Sequence, residues 1–269
     1  MRSILIYLNT HISILNLLKE FISILISNIS YLFLMGSNNL HIHSNKSNLQ
    51  ILFEDNHLIV INKRSGDIVQ GDKTGDLPLS EVVKEYIAEK YNKPGAVYLG
   101  VVHRLDRPTT GIVVFAKTSK ALARLNKLFS DRETQKTYWA VVKKAPPKTE
   151  DTLTHFLKRN PKQNKSFAYI KEIPESKKAI LDYRILKTLD NYYLLEIDLH
   201  TGRHHQIRSQ LSAIGCPVKG DLKYGFDRSN KDASIHLHAR KLCFIHPVKK
   251  EPLEIIAAPP RDPIWDACT

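Results

Sequence analysis

The chain has 269 residues, 42% of them hydrophobic, which is enough to bury a core as one domain or one domain with a small appendage and excludes a disordered chain. Lysine and arginine number 40 against 27 acidic residues, a net charge of +13 and a pI near 9.5, the balance of a protein that meets a polyanion such as RNA, DNA or an anionic membrane. Cys216, Cys243 and Cys268 stand far apart with no CxxC spacing, so neither a disulfide framework nor a thiolate metal site is indicated and the cytoplasm is the expected compartment.

Residues 12–35 are rich in Ile and Leu, but Lys19 and Glu20 interrupt them, and Phe21 to Met35 alone is too short to span a bilayer. There is no Ala-x-Ala-like cleavage site, so residues 1–34 read as a misread upstream start or loose extension, with Met35-Gly36 as the beginning. A membrane anchor or an amphipathic lid is the alternative. Ser37 to Gln50 is polar and Asn-rich and reads as a flexible linker. Ile51 to Lys63 reads as two strands around an Asp55-Asn56 turn. Ser80 is expected to cap a helix running to about Tyr91, with Val82, Val83, Tyr86 and Ile87 on one apolar face, stopped by Asn92-Lys93-Pro94-Gly95.

Two apolar, β-branched runs follow, Gly95 to Val102 and Ile112 to Ala116; both read as strands, and they clamp His103-Arg104-Leu105-Asp106-Arg107-Pro108-Thr109-Thr110-Gly111 between them. Arg104 and Arg107 flank Asp106 and favour its charged form, while Pro108 and Gly111 restrict the turn. Such a carboxylate suits a nucleophile or an anion anchor better than a proton donor; a solvated ion-pair loop is the plainer reading of the same residues. Ser119 is expected to cap a second helix, with Leu122, Leu125, Leu128 and Phe129 as core. In the strand Thr137 to Val142, Tyr138, Ala140 and Val142 share one face and Trp139 the other. Ala145-Pro146-Pro147-Lys148 breaks the chain, and Leu157 to Lys165 is a basic, Asn-rich segment expected to touch phosphates. Ile207, Leu211 and Ile214 form the stripe of a helix ended by Gly215, which puts Arg208 at the edge of a buried face, where Asp106 is the expected partner of a bidentate pair.

The loop His103 to Gly111 resembles the catalytic signature of the RluA-type pseudouridine synthases, enzymes that isomerise uridine in structured RNA. Further motifs follow in that family's order: Lys136-Thr137-Tyr138-Trp139-Ala140-Val141, Thr201-Gly202-Arg203-His204-His205-Gln206-Ile207-Arg208, Gly220-Asp221-Leu222-Lys223-Tyr224-Gly225, and Leu237-His238-Ala239-Arg240 with Phe244-x-His246-Pro247. The first and third are the most specific, and the resemblance covers about residues 50–262.

The resemblance implies an α+β fold, a mixed and largely antiparallel sheet with flanking helices, filling a catalytic domain over residues 50–262 and leaving residues 263–269 as a tail. It implies Asp106, Tyr138 and Arg208 as the catalytic residues, with Arg104, Arg107, Arg203, His205 and Ile207 toward the substrate. Arg104 would fill the stack left by a flipped uridine. A phenol with an ordinary pKa of about 10 is a poor base unless its site is tuned, so Tyr138 has the less certain role. No cofactor is expected, nor a metal, because the histidines, His200, His204, His205, His236 and His238 among them, show no tight cluster with Cys or acidic partners. The expected partner is ribosomal or transfer RNA, met by a monomer without an N-terminal S4 module and without stable membrane association. Two other readings share these residues: a non-catalytic RNA-binding or ribosome-assembly protein on the same fold, and a base-excising glycosidase, which wants a second acid that is not visible near Asp106.

Overall fold

A computed structural model describes Lys19 and residues 43–269, and the fold belongs to the unit His41–Thr269. The readings of residues 1–34 and of the start of the linker lie outside the described residues. Among the described residues, no helix is long and apolar enough to cross a membrane.

The unit is built on one eleven-stranded sheet. Its strands are β1 (Ile51–Glu54), β2 (Leu58–Lys63), β3 (Gly100–Val101), β4 (Thr110–Ala116), β5 (Gln135–Val142), β6 (Glu150–Asn160), β7 (Lys165–Tyr169), β8 (Lys177–Thr188), β9 (Tyr193–Leu199), β10 (Leu237–Ile245) and β11 (Pro252–Ile256). The order is β1-β2-β4-β10-β5-β9-β8-β6-β7, with β3 on β4 and β11 on β10. The pairing is antiparallel except between β10 and β4, where His238 lies beside Thr110 and Ala239 beside Gly111. The sheet is therefore mixed and mainly antiparallel, as expected.

Four helices cover parts of it: α1 (Leu79–Lys90), α2 (Ser119–Ser130), α3 (Gln206–Ala213) and α4 (Pro263–Cys268). Side chains alternate between the faces of a strand, so β2 and β4 feed two cores at once. Ile59, Ile61, Val113 and Phe115 pack on Leu79, Val83 and Ile87 of α1, while Leu58, Val60, Ile112 and Val114 pack on Ala121 and Leu125 of α2. Every residue of β4 is buried, and burying each Ile, Val or Phe there contributes roughly 1.5–3 kcal/mol. On the other half of the sheet, Ile207 and Leu211 of α3 pack on Ala140, Leu195 and Leu181.

Several expectations are corrected. Ser80 does not cap α1; Pro78 holds that position without a side-chain cap, and the Leu79 and Ser80 amides donate to the Ile68 and Val69 carbonyls at 2.7 and 3.3 Å. A tertiary pairing thus supplies what a capping oxygen would have supplied. For α2 the cap is Thr118, not Ser119, its hydroxyl accepting from the Ala121 amide at 3.2 Å. The strand read over Gly95 to Val102 shrinks to Gly100–Val101, because β10 takes the start of the same β4 edge and leaves Phe115 and Ala116 for β3. Residues 43–50 are not a loose linker: Ser44 is buried, its amide and hydroxyl donating to Asp67 at 3.0 and 2.6 Å. Nor is the last segment a free tail, since Asp262 caps α4 and Trp265 is buried against Val141 and Leu194. The Asp55 turn stands as read, its Oδ1 accepting from the His57 and Leu58 amides at 2.8 Å each.

Candidate active site

The loop between β3 and β4 carries Asp106, and three devices hold it. Lys63, at the end of β2, is 1% exposed and donates its Nζ to the carbonyls of Arg64, Arg107 and Thr109 at 2.8, 3.0 and 2.8 Å. The Gly66 amide also donates to the Arg107 carbonyl at 2.9 Å, and the Ile235 amide to that of Pro108 at 3.2 Å. Gly111 takes φ +112°, and a Cβ there would collide with the Ala239 backbone, so the parallel step from β4 to β10 admits only glycine. Burial pushes the Lys63 pKa down to about 7, against the opposing charges of Asp67 and Asp106.

Arg208, in the first turn of α3, comes from the other half of the sheet. Its fork does not close on Asp106 as expected. Nε and Nη2 donate to Asp221 Oδ2 and Oδ1 at 2.6 and 2.9 Å, and the remaining nitrogen, Nη1, donates to Asp106 Oδ2 at 2.9 Å. Asp221 and Arg208 are 1% and 5% exposed, whereas the Asp106 side chain is 28% exposed. Burial alone would weaken the guanidinium's charge, but the Asp221 bonds and both carboxylates outweigh it and raise its pKa. Two carboxylates thus share one cation: the buried one anchors it, and the accessible one is left with an oxygen toward solvent.

Tyr138 on β5 faces the same side as Ala140 and Val142, between the cores of both halves. Burial first, and the Asp106 charge second, raise its pKa, so near neutral pH it is a phenol rather than a phenolate. His205 lies with Nε2 3.5 Å from Asp106 Oδ2 and Nδ1 3.0 Å from the Tyr224 hydroxyl.

The remaining predicted residues divide. Arg104 is exposed and meets no carboxylate among the described residues. Arg107, expected to stabilise the Asp106 charge, instead pairs with Asp76 and donates to Thr74 at 3.0 Å. The turn points the two side chains apart, so Arg208 is the cation that Asp106 meets. Arg203 donates its Nε to the Lys178 carbonyl at 3.2 Å. Ile207, expected toward the substrate, is a core residue, because the helical stripe that it starts faces the sheet. Leu157 to Lys165 forms the end of the β6–β7 hairpin, and Lys158 pairs with Glu175 at 2.8 Å.

The sequence reading missed Lys63, Asp221 and Tyr224. Asp221 and Tyr224 lie in the motif Gly220 to Gly225, whose spacing assigns them no partner; a buried lysine ending an apolar strand has no signal in composition or periodicity. The histidines disperse among separate partners. His200 meets Asp182 at 2.6 Å, His204 meets Ser166 and Asn164 at 2.9 and 3.2 Å, and His236 meets Asp262 at 3.2 Å. Among the described residues, no group of three or more His, Cys, Asp or Glu could hold a metal ion. Behind the site, on the face of the sheet opposite Tyr138, a concavity of about 400 Å³ is lined by Asp182, Glu196 and Asp198 among others, a charge that would repel a polyanion.

Residues 57–213 match the family model described as RNA pseudouridylate synthase. The chain is 34% identical over 224 residues to a protein of Zymomonas mobilis named ribosomal large subunit pseudouridine synthase D, covering 80% of this chain and 70% of that one. It is 33% identical to an uncharacterized RNA pseudouridine synthase of Synechocystis, covering 79% and 66%. Among solved structures it is similar to human RNA pseudouridylate synthase domain containing 4, with 25% identity, a TM-score of 0.67, and 81% and 92% of the two chains covered.

Proposed function

The chain belongs to the RNA pseudouridylate synthase family, as an RluA-type isomerase that converts uridine to pseudouridine in RNA, and we propose that Asp106 is the carboxylate that carries the reaction. The reaction breaks the bond from N1 to C1′, turns the uracil and joins C5 to C1′; the C5 proton is lost and N1 takes up one proton, so the product is an isomer. It is a redox-neutral rearrangement that needs no external oxidant or reductant. Asp106 serves either as nucleophile at C1′ or as base at C2′, and both roles need an ionised carboxylate held in place. The observation that carries this reading is the Asp221–Arg208–Asp106 arrangement, in which a guanidinium fixed by one buried carboxylate presents its last nitrogen to an accessible one.

Tyr138, kept as a phenol, donates or shares a proton near the base. Arg104, exposed on the same loop, takes the space of the flipped uridine in a folded RNA. Because a relative is named for the large ribosomal subunit, ribosomal RNA is the first substrate to test and transfer RNA the second. A monomer acting in the cytoplasm completes the reading.

Asp106→Asn is expected to lower tritium release from C5-labelled uridine in RNA by more than about a thousandfold while RNA binding persists. Substantial turnover by this variant would remove Asp106 from the mechanism. The non-catalytic alternative predicts no release by the wild type either, and mapping pseudouridine in total RNA with and without the protein identifies the substrate.

A further inference from the structure

The two oxygens of Asp106 have different surroundings. Oδ2 accepts from Arg208 Nη1 at 2.9 Å and lies 3.5 Å from His205 Nε2, whereas no described group donates to Oδ1. His205 is itself tightly held. Its side chain is 7% exposed, its ring stacks on His204 with centroids 3.8 Å apart, and its backbone takes φ +52°, a left-handed conformation that costs a non-glycine residue about 1 kcal/mol.

The proton on that ring can be located from the bonds behind it. The buried Ser166 amide donates to the Tyr224 hydroxyl oxygen at 2.8 Å, and among the described residues His205 Nδ1, 3.0 Å away, is the acceptor within reach of the phenol's own hydrogen. A nitrogen that accepts carries no proton in a neutral imidazole, so donation from the phenol to Nδ1 puts the proton on Nε2, on the side of Asp106. Burial holds the ring neutral near pH 7, pushing its pKa down to about 3 despite the nearby Asp106 charge.

We infer that His205 is a positioning residue for Asp106: locked by Tyr224 in the Nε2–H form, it donates together with Arg208 to Oδ2 and leaves Oδ1 as the oxygen that meets the ribose. The inference rests on Asp106 being the catalytic carboxylate. The separation of 3.5 Å is longer than a formed hydrogen bond, so the donation requires the two groups to approach by a few tenths of an ångström, the kind of tightening that catalytic hydrogen bonds commonly undergo on binding. Two donors on one oxygen occupy its lone pairs and fix the carboxylate's rotation, so the unbonded oxygen is the one left free to react and is defined in direction.

The test combines variants with a direct reading of the tautomer. Nitrogen-15 shifts of the histidine rings in the full-length enzyme are expected to show His205 protonated at Nε2, and Tyr224→Phe is expected to mix the two tautomers. His205→Leu should slow single-turnover isomerisation about 10- to 100-fold with RNA affinity changed less than about twofold, and His205→Gln, which keeps an N–H in reach, should recover most of the rate. A wild-type ring protonated at Nδ1 overturns the inference, and it can be read even if the leucine variant does not fold. So does a folded leucine variant with wild-type turnover, or one that loses affinity and rate together, which would make His205 an RNA contact. Activity of Asp106→Asn would instead bring down the reading of the site beneath it.

Discussion

The two halves of the sheet hold their functional groups by different means. Strands β2 and β4 are covered by α1 on one face and α2 on the other, and the Asp106 loop that follows β3 is tied by main-chain carbonyls to one buried ammonium, Lys63. Strands β5, β6, β8 and β9 have α3 on one face and leave much of the other to solvent, so β6 alternates between buried and exposed residues. There the functional groups are fixed by side-chain pairs: Arg208 by Asp221, and His205 by Tyr224. A doubly covered half can position a loop through its backbone, which tolerates a change in the loop's side chains. A half held by side-chain charges depends on each partner. The site lies where they meet, with β10 between β4 and β5.

The sharpest break in this comparison is at Asp221. Removing it with Asp221→Asn leaves the Arg208 charge buried beside one partly exposed carboxylate, and a loss of about 3–5 kcal/mol in unfolding free energy is expected from denaturant titration. Asp106→Asn, on the accessible side of the same guanidinium, should cost less than about 1 kcal/mol of stability while abolishing turnover. Equal stability losses would show that the two carboxylates are not divided into anchor and reactant.

Next in size is Lys63→Met, which keeps the volume but strands the Arg64, Arg107 and Thr109 carbonyls, at an expected cost of about 3 kcal/mol. Its pH dependence has a definite sign. The folded pKa near 7 lies below the ordinary 10.5, so between these values the unfolded chain holds a proton that the folded chain has released, and wild-type stability rises with pH. The deficit of the Met variant, which has no such proton, should therefore grow from pH 7 toward pH 9. A deficit that shrinks would contradict the buried-lysine account.

The smallest effect belongs to the junction. His238 on β10 is fully buried between the halves, paired beside Thr110 and Trp139, with Nδ1 2.8 Å from the Thr110 hydroxyl and Nε2 3.1 Å from the Ala257 carbonyl. Burial lowers its pKa from 6.5 to about 4, so as pH falls through that window the unfolded chain takes a proton that the fold refuses, and stability is lost. About 2 kcal/mol should go between pH 7 and pH 5 from this residue, and His238→Asn should flatten that part of the melting-temperature profile.

Much of this was legible in the chain itself. Alternation placed Tyr138 opposite Trp139 and the apolar runs of β2 and β4 marked the covered strands, because spacing is a local property, while Asp106, the carboxylate proposed to react, was singled out by the family resemblance of the loop from His103 to Gly111. The sequence also put Arg208 at the edge of a buried helical face, but it assigned the wrong carboxylate to the fork. That choice depended on which acid the fold brings to the two nitrogens facing inward. Asp221 lies 13 residues from Arg208 and Asp106 lies 102 away, and neither separation distinguishes anchor from reactant. Lys63, Tyr224 and the orientation of His205 were likewise decided by tertiary structure, because a hydrogen bond joins groups that strand order and helix packing bring within about 3 Å, and side-chain periodicity records the faces of a strand or helix without recording what it meets.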